Sequence, residues 1–277
     1  MNLLAITSHV VYGHVGGQVA VPALQRLGHE VWHLPTVLFS NHPGHGGFAG
    51  EAVRPALLRD LLDGLDARGF LDRVDAVLSG YLGTAETAGI VADTVERLRR
   101  GRRMVFCCDP VLGDGGRRYV ADGILEQLRD RLVPLADILT PNRDELAWLA
   151  GRPVASLDAA VAAAEALRRR GAGSVVCTSA ALSGGQLSSL VVGAAGAFAL
   201  ETPVLEGVPH GTGDLFAALF LAARLDGLDD AAALARAVAQ TDAMIRATLR
   251  SGGDELTLIA DPDVLADTPV PLRPSRL

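Results

Sequence analysis

Three short segments of this 277-residue chain combine acids, hydroxyls and glycines at spacings that suit chemistry on an anionic group. Gly211-Thr212-Gly213-Asp214 opens a very apolar run over residues 215–225. Consecutive backbone N–H groups at a helix start, freed of side-chain bulk by glycine, form a hole for an anion. An Asp in that first turn can take a proton from a hydroxyl held beside a phosphate. The same residues also suit a plain helix cap, because Asp and Gly are common at helix N-termini. Cys108-Asp109-Pro110-Val111-Leu112-Gly113-Asp114 closes a run that reads as a strand. In open α/β sheets ligands bind beyond the carboxyl ends of the strands, where two acids can hold a magnesium–nucleotide complex. An Asp-Pro turn that merely ends the strand is the plainer reading. Thr140-Pro141-Asn142-Arg143-Asp144-Glu145 follows another short strand. A capping motif with an acidic first turn accounts for Asn142 and Glu145 by itself. A functional role there depends on agreement with the other segments.

Composition bounds what these segments can belong to. With 49% hydrophobic and 21% charged residues and no low-complexity bias, the chain reads as globular with a sizeable core, which excludes disordered and fibrous classes. A net charge of −7 without a basic stripe argues against a nucleic-acid partner. All 25 basic residues are Arg, and no Lys is present. That removes Walker P-loop enzymes, Schiff-base enzymes and Lys-dependent aldolases. Cys107, Cys108 and Cys177 include an adjacent pair but no C-x-x-C, so neither a zinc site nor a disulfide framework is indicated. His9, His14, His42 and His45 fall in two loops that can approach each other, yet none forms an HxH or HxxxH pair on a predicted helix, and zinc is not expected. The first six residues lack a basic leader and read as a strand; no apolar stretch approaches a membrane span of about 18 residues. A cytoplasmic protein without membrane partners is the expectation.

Holding these acids together requires strands that end where they lie. Apolar runs predict strands over 3–7, 30–34, 76–79, 104–107, 137–139 and 174–178. Helices are predicted between them over 18–27, 55–68, 86–100, 123–132, 143–150 and 157–170. This alternation implies an α/β fold with a mainly parallel central sheet and helices on both faces. Pro55 suits a helix first turn, and the Arg clusters at 99–103 and 168–170 suit helix ends. Residues 186–192 and 197–202 read as a hairpin around 193–196, a small antiparallel edge, before helices over 215–225 and 229–249. The tail over 261–277 carries Pro262, Pro269, Pro271 and Pro274 and reads as a surface segment. Without repeats or linkers, residues 1–277 read as one domain.

The segments agree in order. Ser-His-Val-Val-Tyr-Gly-His (8–14), Phe-Ser-Asn-His (39–42) and Leu-Ser-Gly-Tyr-Leu-Gly (78–83) precede Asp-Pro-Val-Leu-Gly-Asp (109–114), Thr-Pro-Asn-x-x-Glu (140–145) and Gly-Thr-Gly-Asp. Over roughly residues 1–225 the chain resembles the pyridoxal kinase family of the ribokinase-like superfamily. Gly-Thr-Gly-Asp marks the superfamily only; the first and third segments are more specific.

The resemblance implies a ribokinase-like fold and ATP-dependent phosphorylation of the 5′-hydroxymethyl of pyridoxal, with pyridoxine and pyridoxamine as further acceptors, in vitamin B6 salvage. It implies Asp214 as base and Gly211, Thr212 and Gly213 as anion hole. Asp109, Asp114, Thr140, Asn142 and Glu145 would serve ATP, with Asp109, Asp114 and Glu145 on the side of magnesium, and a monovalent cation (K⁺) beside them. Thr178 and Ser179 match a position near the phosphates, while Val204 and Leu205 fall in the adenine-side loop. Ser8 and Tyr81 would face the pyridine ring, and residues 42–50, with His42, Pro43 and Gly44, correspond to a mobile substrate flap. A homodimer is implied as well. Two stretches depart from the family pattern. Gly17-Gln18-Val19 replaces an Asn followed by small residues, and Pro43-Gly44-His45-Gly46-Gly47 replaces polar and aromatic ring contacts. A flap this rich in glycine is costly to order on closure. Without Lys, charge on the transferring phosphoryl group falls to magnesium, backbone N–H groups or an Arg. The alternatives are a hydroxymethylpyrimidine kinase of the same fold, whose members often carry Cys in place of Asp214, and a non-catalytic B6 carrier. The intact Asp214, Asp109 and Glu145 argue against the carrier.

Overall fold

The computed structural model describes residues 1–267 and 272–277. β1 (Asn2–Tyr12) leads into α1 (Gly17–Arg26), β2 (Glu30–Asn41), the short β3 (Gly50–Ala52) and α2 (Pro55–Asp66). β4 (Ala76–Ser79), α3 (Ala85–Leu98), β5 (Val105–Cys108), the two-residue strands β6 (Gly113–Asp114) and β7 (Arg117–Arg118), α4 (Ile124–Gln127) and β8 (Ile138–Leu139) follow. Then come α5 (Arg143–Ala150), α6 (Leu157–Arg169), β9 (Ser174–Ser183), β10 (Gln186–Gly193) and β11 (Gly196–Pro203). The chain closes with α7 (Thr212–Leu225), α8 (Asp230–Ser251), α9 (Asp263–Asp267) and β12 (Ser275–Arg276).

The main sheet runs β12-β11-β10-β9-β8-β5-β4-β1-β2-β3. From β9 to β2 the neighbours are parallel; β10, β11 and β12 finish one side antiparallel and β3 the other. Successive side chains feed two cores. On β1, Leu4 and Ile6 join the core made with α2, α3, α5 and α6, while Leu3 and Ala5 join the one made with α1, α7 and α8. Val77, Phe106, Cys108, Val175 and Cys177 face the first; Ala76, Leu78, Cys107 and Val176 face the second. Burial on both faces turns each strand into an unbroken apolar run. The three cysteines are free thiols within these cores, their pKa values pushed up by burial, so they are inert packing groups. α7 is buried nearly all round, from Leu215 to Ala223, and packs between α1 and α8.

Several elements outrun their sequence signal. The strand predicted over 30–34 ends before Pro35, yet β2 continues to Asn41. Thr7 pairs with Pro35 and His9 with Leu38, so β2 carries one extra residue, a bulge of the kind that tolerates proline inside a sheet. This extension carries both β1 and β2 out to the loops over the cleft. β9 likewise passes residue 178 and turns through Gly184 and Gly185, both at positive φ, into β10. The hairpin read at 193–196 is therefore the second of two. The tail is not simply draped over the surface: β12 pairs antiparallel with β11, Arg276 opposite Phe198, and closes the sheet edge. A two-residue strand directly after Pro274 has no periodicity to read. Pro269 and Pro271 lie outside the described residues.

Candidate active site

The parallel strands deliver their carboxyl ends to one rim, where backbone hydrogen bonds lock the loop starts side by side. The N–H of Gly80 donates to Ile6 O (3.0 Å), that of Asp109 to Ser79 O (2.8 Å), that of Thr140 to Cys108 O (3.1 Å) and that of Thr178 to Pro141 O (3.2 Å). The start of α7 closes over this rim. Gly211 caps it at φ 83°, ψ 0°, and a Cβ there would lie 2.1 Å from the carbonyl oxygen of His14. Only glycine permits both the left-handed backbone and this approach. Thr212, Gly213 and Asp214 form the first turn, whose N–H groups have no partner within the helix. A Cβ on Gly213 would meet open space.

The Asp214 carboxylate accepts the N–H groups of Gly16 and of Asp214 itself. Part of the residue meets solvent, but burial of the carboxylate outweighs both hydrogen bonds and pushes its pKa up to about 6. Gly16 sits at φ 55°, with Ser8 Oγ only 2.1 Å from the position of a Cβ. Gly80 is wedged similarly: its Cβ would lie 2.4 Å from Thr7 Oγ1 and 3.9 Å from Asp214 Oδ1. Thr7 Oγ1 is buried there without a hydrogen-bond partner among the described residues. Ser8, Gly16, Gly80 and Asp214 thus converge. Were Asp214 to act as a base, activity would rise with pH through about 6 and fall about tenfold per pH unit well below it. Stability moves oppositely. The folded pKa lies above the unfolded value near 3.8, so this contribution is fully present below that pH and is lost as pH rises through about 6. Paired kcat and urea-unfolding profiles between pH 4 and 8 test both signs.

The second group of acids lies beyond β5 and β8. Asp109 is 6% exposed and accepts a 2.9 Å hydrogen bond from Thr140 Oγ1. Burial holds its pKa well above the usual carboxylate range, with further upward pressure from Glu145 and Asp214. Asn142 and Glu145 form a full capping box at the start of α5. Glu145 Oε1 also accepts the N–H groups of Leu112 (2.9 Å) and Gly113 (3.4 Å), and the Asn142 side-chain amide donates to Gly113 O (2.8 Å). Both residues therefore clamp the loop after β5 onto α5 as well as capping the helix. Burial raises the pKa of Glu145, which these N–H groups partly oppose. Asp114 stands exposed on β6, paired with Arg117 across a Gly115-Gly116 turn.

The ion pairs among the described residues leave Asp109, Glu145 and Asp214 without a cationic partner. Crowded carboxylate oxygens without a counter-charge fit a hard divalent cation such as magnesium. No three His, Cys, Asp or Glu side chains among the described residues form a ready-made cage.

Thr178 and Ser179 reach the rim through an irregularity in β9. Cys177 pairs with Leu190 and Ala181 with Ser188, so Thr178, Ser179 and Ala180 stand opposite Ser189 alone. Asn142 bridges to Thr178, and Ser179 takes φ 52°, the one positive φ outside glycine among the described residues. The backbone is held there against its preference. Ser179→Val is expected to destabilise by about 1–3 kcal/mol and Ser179→Gly to stay within about 1 kcal/mol of the parent, read by chemical unfolding.

The remaining residues lie around the mouth. Tyr81 is half-buried, its carbonyl accepting Thr36 Oγ1 at 2.6 Å and its hydroxyl pKa raised by burial. His42, Pro43 and Gly44 belong to an exposed 3-10 turn after β2. The His42 ring meets that of His210, next to Gly211, at 4.3 Å and a 39° tilt. Val204 and Leu205 are not drawn into the hydrogen-bonded cleft; the Val204 N–H bonds Gly185 O at 3.0 Å beside the β9–β10 turn. The four histidines of the two loops do not converge. His9 faces His33 at 5.6 Å, whereas His42 and His45 lie 6.4 Å apart. Residues the sequence reading passed over are Thr7, Gly16, Gly80, His210 and Glu255. Gly80 lay inside a quoted motif and His210 beside one.

The profile of the phosphomethylpyrimidine kinase family matches residues 66–258. The chain is 39% identical over 271 residues to pyridoxal kinase PdxY of Corynebacterium diphtheriae, covering 96% of each. It is 42% identical over 269 residues to pyridoxal kinase PdxY of Granulibacter bethesdensis, covering 94% of each. The chain belongs to the pyridoxal kinase family. Among solved pyridoxal kinases, that from Leishmania donovani in complex with ADP and pyridoxamine matches with a TM-score of 0.93 and 31% identity, over 100% of this chain and 99% of that one. Its complex with ADP and pyridoxine gives a TM-score of 0.93 at 32% identity. The likeness to pyridoxal kinases therefore runs through α8, α9 and β12, past the residues that carry the quoted motifs.

Proposed function

We propose that residues 1–277 form one ribokinase-like kinase domain that transfers the γ-phosphoryl group of ATP to the 5′-hydroxymethyl oxygen of pyridoxal, with pyridoxine and pyridoxamine as further acceptors. The observation that carries this reading is the Asp214 carboxylate, held by two N–H groups in the first turn of α7 within a chain of this family. Asp214 takes the proton of the substrate hydroxyl, and the N–H groups of Gly211, Thr212 and Gly213 meet the charge on the transferring group. Asp109 and Asp114 serve magnesium, with Glu145 beside them; Thr140, Asn142, Thr178 and Ser179 serve the ATP phosphates, where a monovalent cation also belongs. Bound magnesium neutralises phosphate charge. Val204 and Leu205 border the adenine, and Ser8, Tyr81, His42, Pro43 and Gly44 enclose the pyridine ring.

A homodimer in the cytoplasm accompanies this reading. Among the described residues no helix is long and apolar enough to cross a membrane. Light scattering tests the dimer. Phosphorylation of hydroxymethylpyrimidine is the second reading, favoured by the name of the matching profile and opposed by Asp214 and Tyr81. The deciding experiment measures ADP release from magnesium-ATP with pyridoxal, pyridoxine, pyridoxamine, hydroxymethylpyrimidine and ribose. Turnover with pyridoxal supports the proposal; turnover with hydroxymethylpyrimidine alone moves the substrate. Pyridoxal binding without turnover overturns the enzyme in favour of a carrier.

A further inference from the structure

Glu255 follows α8, beyond the stretch that carries the sequence motifs, and its side chain is 13% exposed. Its Oε2 accepts the backbone N–H of His14 at 2.5 Å, and its Oε1 lies 2.7 Å from His45 Nε2. Gly13 packs against the same carboxylate, with a Cβ position 3.1 Å from Oε1. The two partners sit on different parts of the cleft. His14 belongs to the loop between β1 and α1, whose carbonyl abuts Gly211 and whose Gly16 donates to Asp214. His45 belongs to the flap, where Tyr12 meets its ring at 5.6 Å.

We propose that Glu255 is a positioning residue, whose carboxylate fixes the closed flap of residues 42–50 against the loop that holds the Asp214 base, and so sets the affinity for the flap-covered substrate. The inference rests on the kinase reading given above. The flap's own hydrogen bonds, such as Gly44 N–H to His42 Nδ1 and the Asn41 side-chain amide to Gly47 O, order the turn itself rather than tie it to the cleft. Gly46 and Gly47 both stand at positive φ with nothing near their Cβ positions. Among the described residues, the ring packing on its far side is Phe48 against Phe39, and Phe48 is itself exposed. On the near side, the tilted His42–His210 ring contact touches the anion-hole loop, and the Glu255–His45 bond touches the base-holding loop. A carboxylate that accepts from both sides fixes distance and direction together, which ring packing does not.

The test compares steady-state kinetics of the parent, Glu255→Ala, Glu255→Gln, His45→Ala and the Glu255→Ala/His45→Ala double variant, with thermal melts of each. Glu255→Ala is expected to raise KM for pyridoxal about tenfold while kcat changes less than about threefold and KM for ATP stays put. His45→Ala, on the exposed flap, shows a rise of its own, and the double variant rises no further than Glu255→Ala, because the two act through one contact. Glu255→Gln, which keeps an acceptor for the His14 N–H, recovers part of the affinity. Multiplicative effects in the double variant overturn the proposal. So does a loss of kcat with unchanged KM for pyridoxal, or an equal loss toward ATP that tracks the melting temperature. Absence of pyridoxal turnover in the parent itself instead rejects the kinase reading.

Discussion

Asp214→Asn lowers kcat for pyridoxal phosphorylation by at least about 10²-fold, the lower end of what general-base assistance contributes, and leaves ATP binding within about twofold. The substitution is nearly isosteric. An Asn oxygen still accepts the Gly16 N–H, so the loop and the start of α7 keep their places. What disappears is the group that can take a proton from the acceptor hydroxyl. The variant also loses a carboxylate whose burial raises its pKa to about 6. At pH 8 it should therefore be at least as stable as the parent, which separates lost chemistry from lost fold. Calorimetric titration with ADP and single-turnover kinetics with pyridoxal provide the comparison. Near-normal turnover would sink the base assignment.

The second large effect is expected at Gly211. Alanine there must adopt φ near +83° and place its Cβ 2.1 Å from the backbone oxygen of His14. The left-handed conformation alone costs about 1–2 kcal/mol, and the backbone contact cannot be relieved by rotating a side chain. The His14 segment must move, and it carries both the Gly16 donor to Asp214 and the His14 N–H that donates to Glu255. Gly211→Ala is expected to cut kcat by about 10²-fold or more and to lower the melting temperature by several degrees. Gly213→Ala is the control, since its Cβ would enter open space and its backbone φ is ordinary. That variant should melt with the parent. Full activity in Gly211→Ala would mean that the anion hole does not depend on this backbone geometry.

How much of this was legible depended on whether a physical demand was local. Strands buried on both faces announce themselves as apolar runs, so the parallel order around β1, β4 and β5 could be read. Pro35 concealed the rest of β2, because the bulge that accommodates it depends on pairing with Thr7 and His9 rather than on neighbouring residues. β12 is too short to carry a period. At the site, Gly211 and Asp214 were visible because the helix start and its acid are contiguous. Asn142 and Glu145 were visible as a cap, but their hold on Gly113 was not. Glu255 gave no signal at all: its partners are a backbone N–H 241 residues away and an imidazole 210 residues away. Only folding brings them together.

The cleft is built from carboxylates, hydroxyls and backbone N–H groups, and no lysine occurs anywhere in the sequence. With pyridoxal as the acceptor, both it and its product are aldehydes, and aldehydes condense with lysine amines to Schiff bases. This chain offers no lysine side chain for that capture. Its product can therefore leave by opening of the flap alone, without first hydrolysing a carbon–nitrogen bond to the protein that made it.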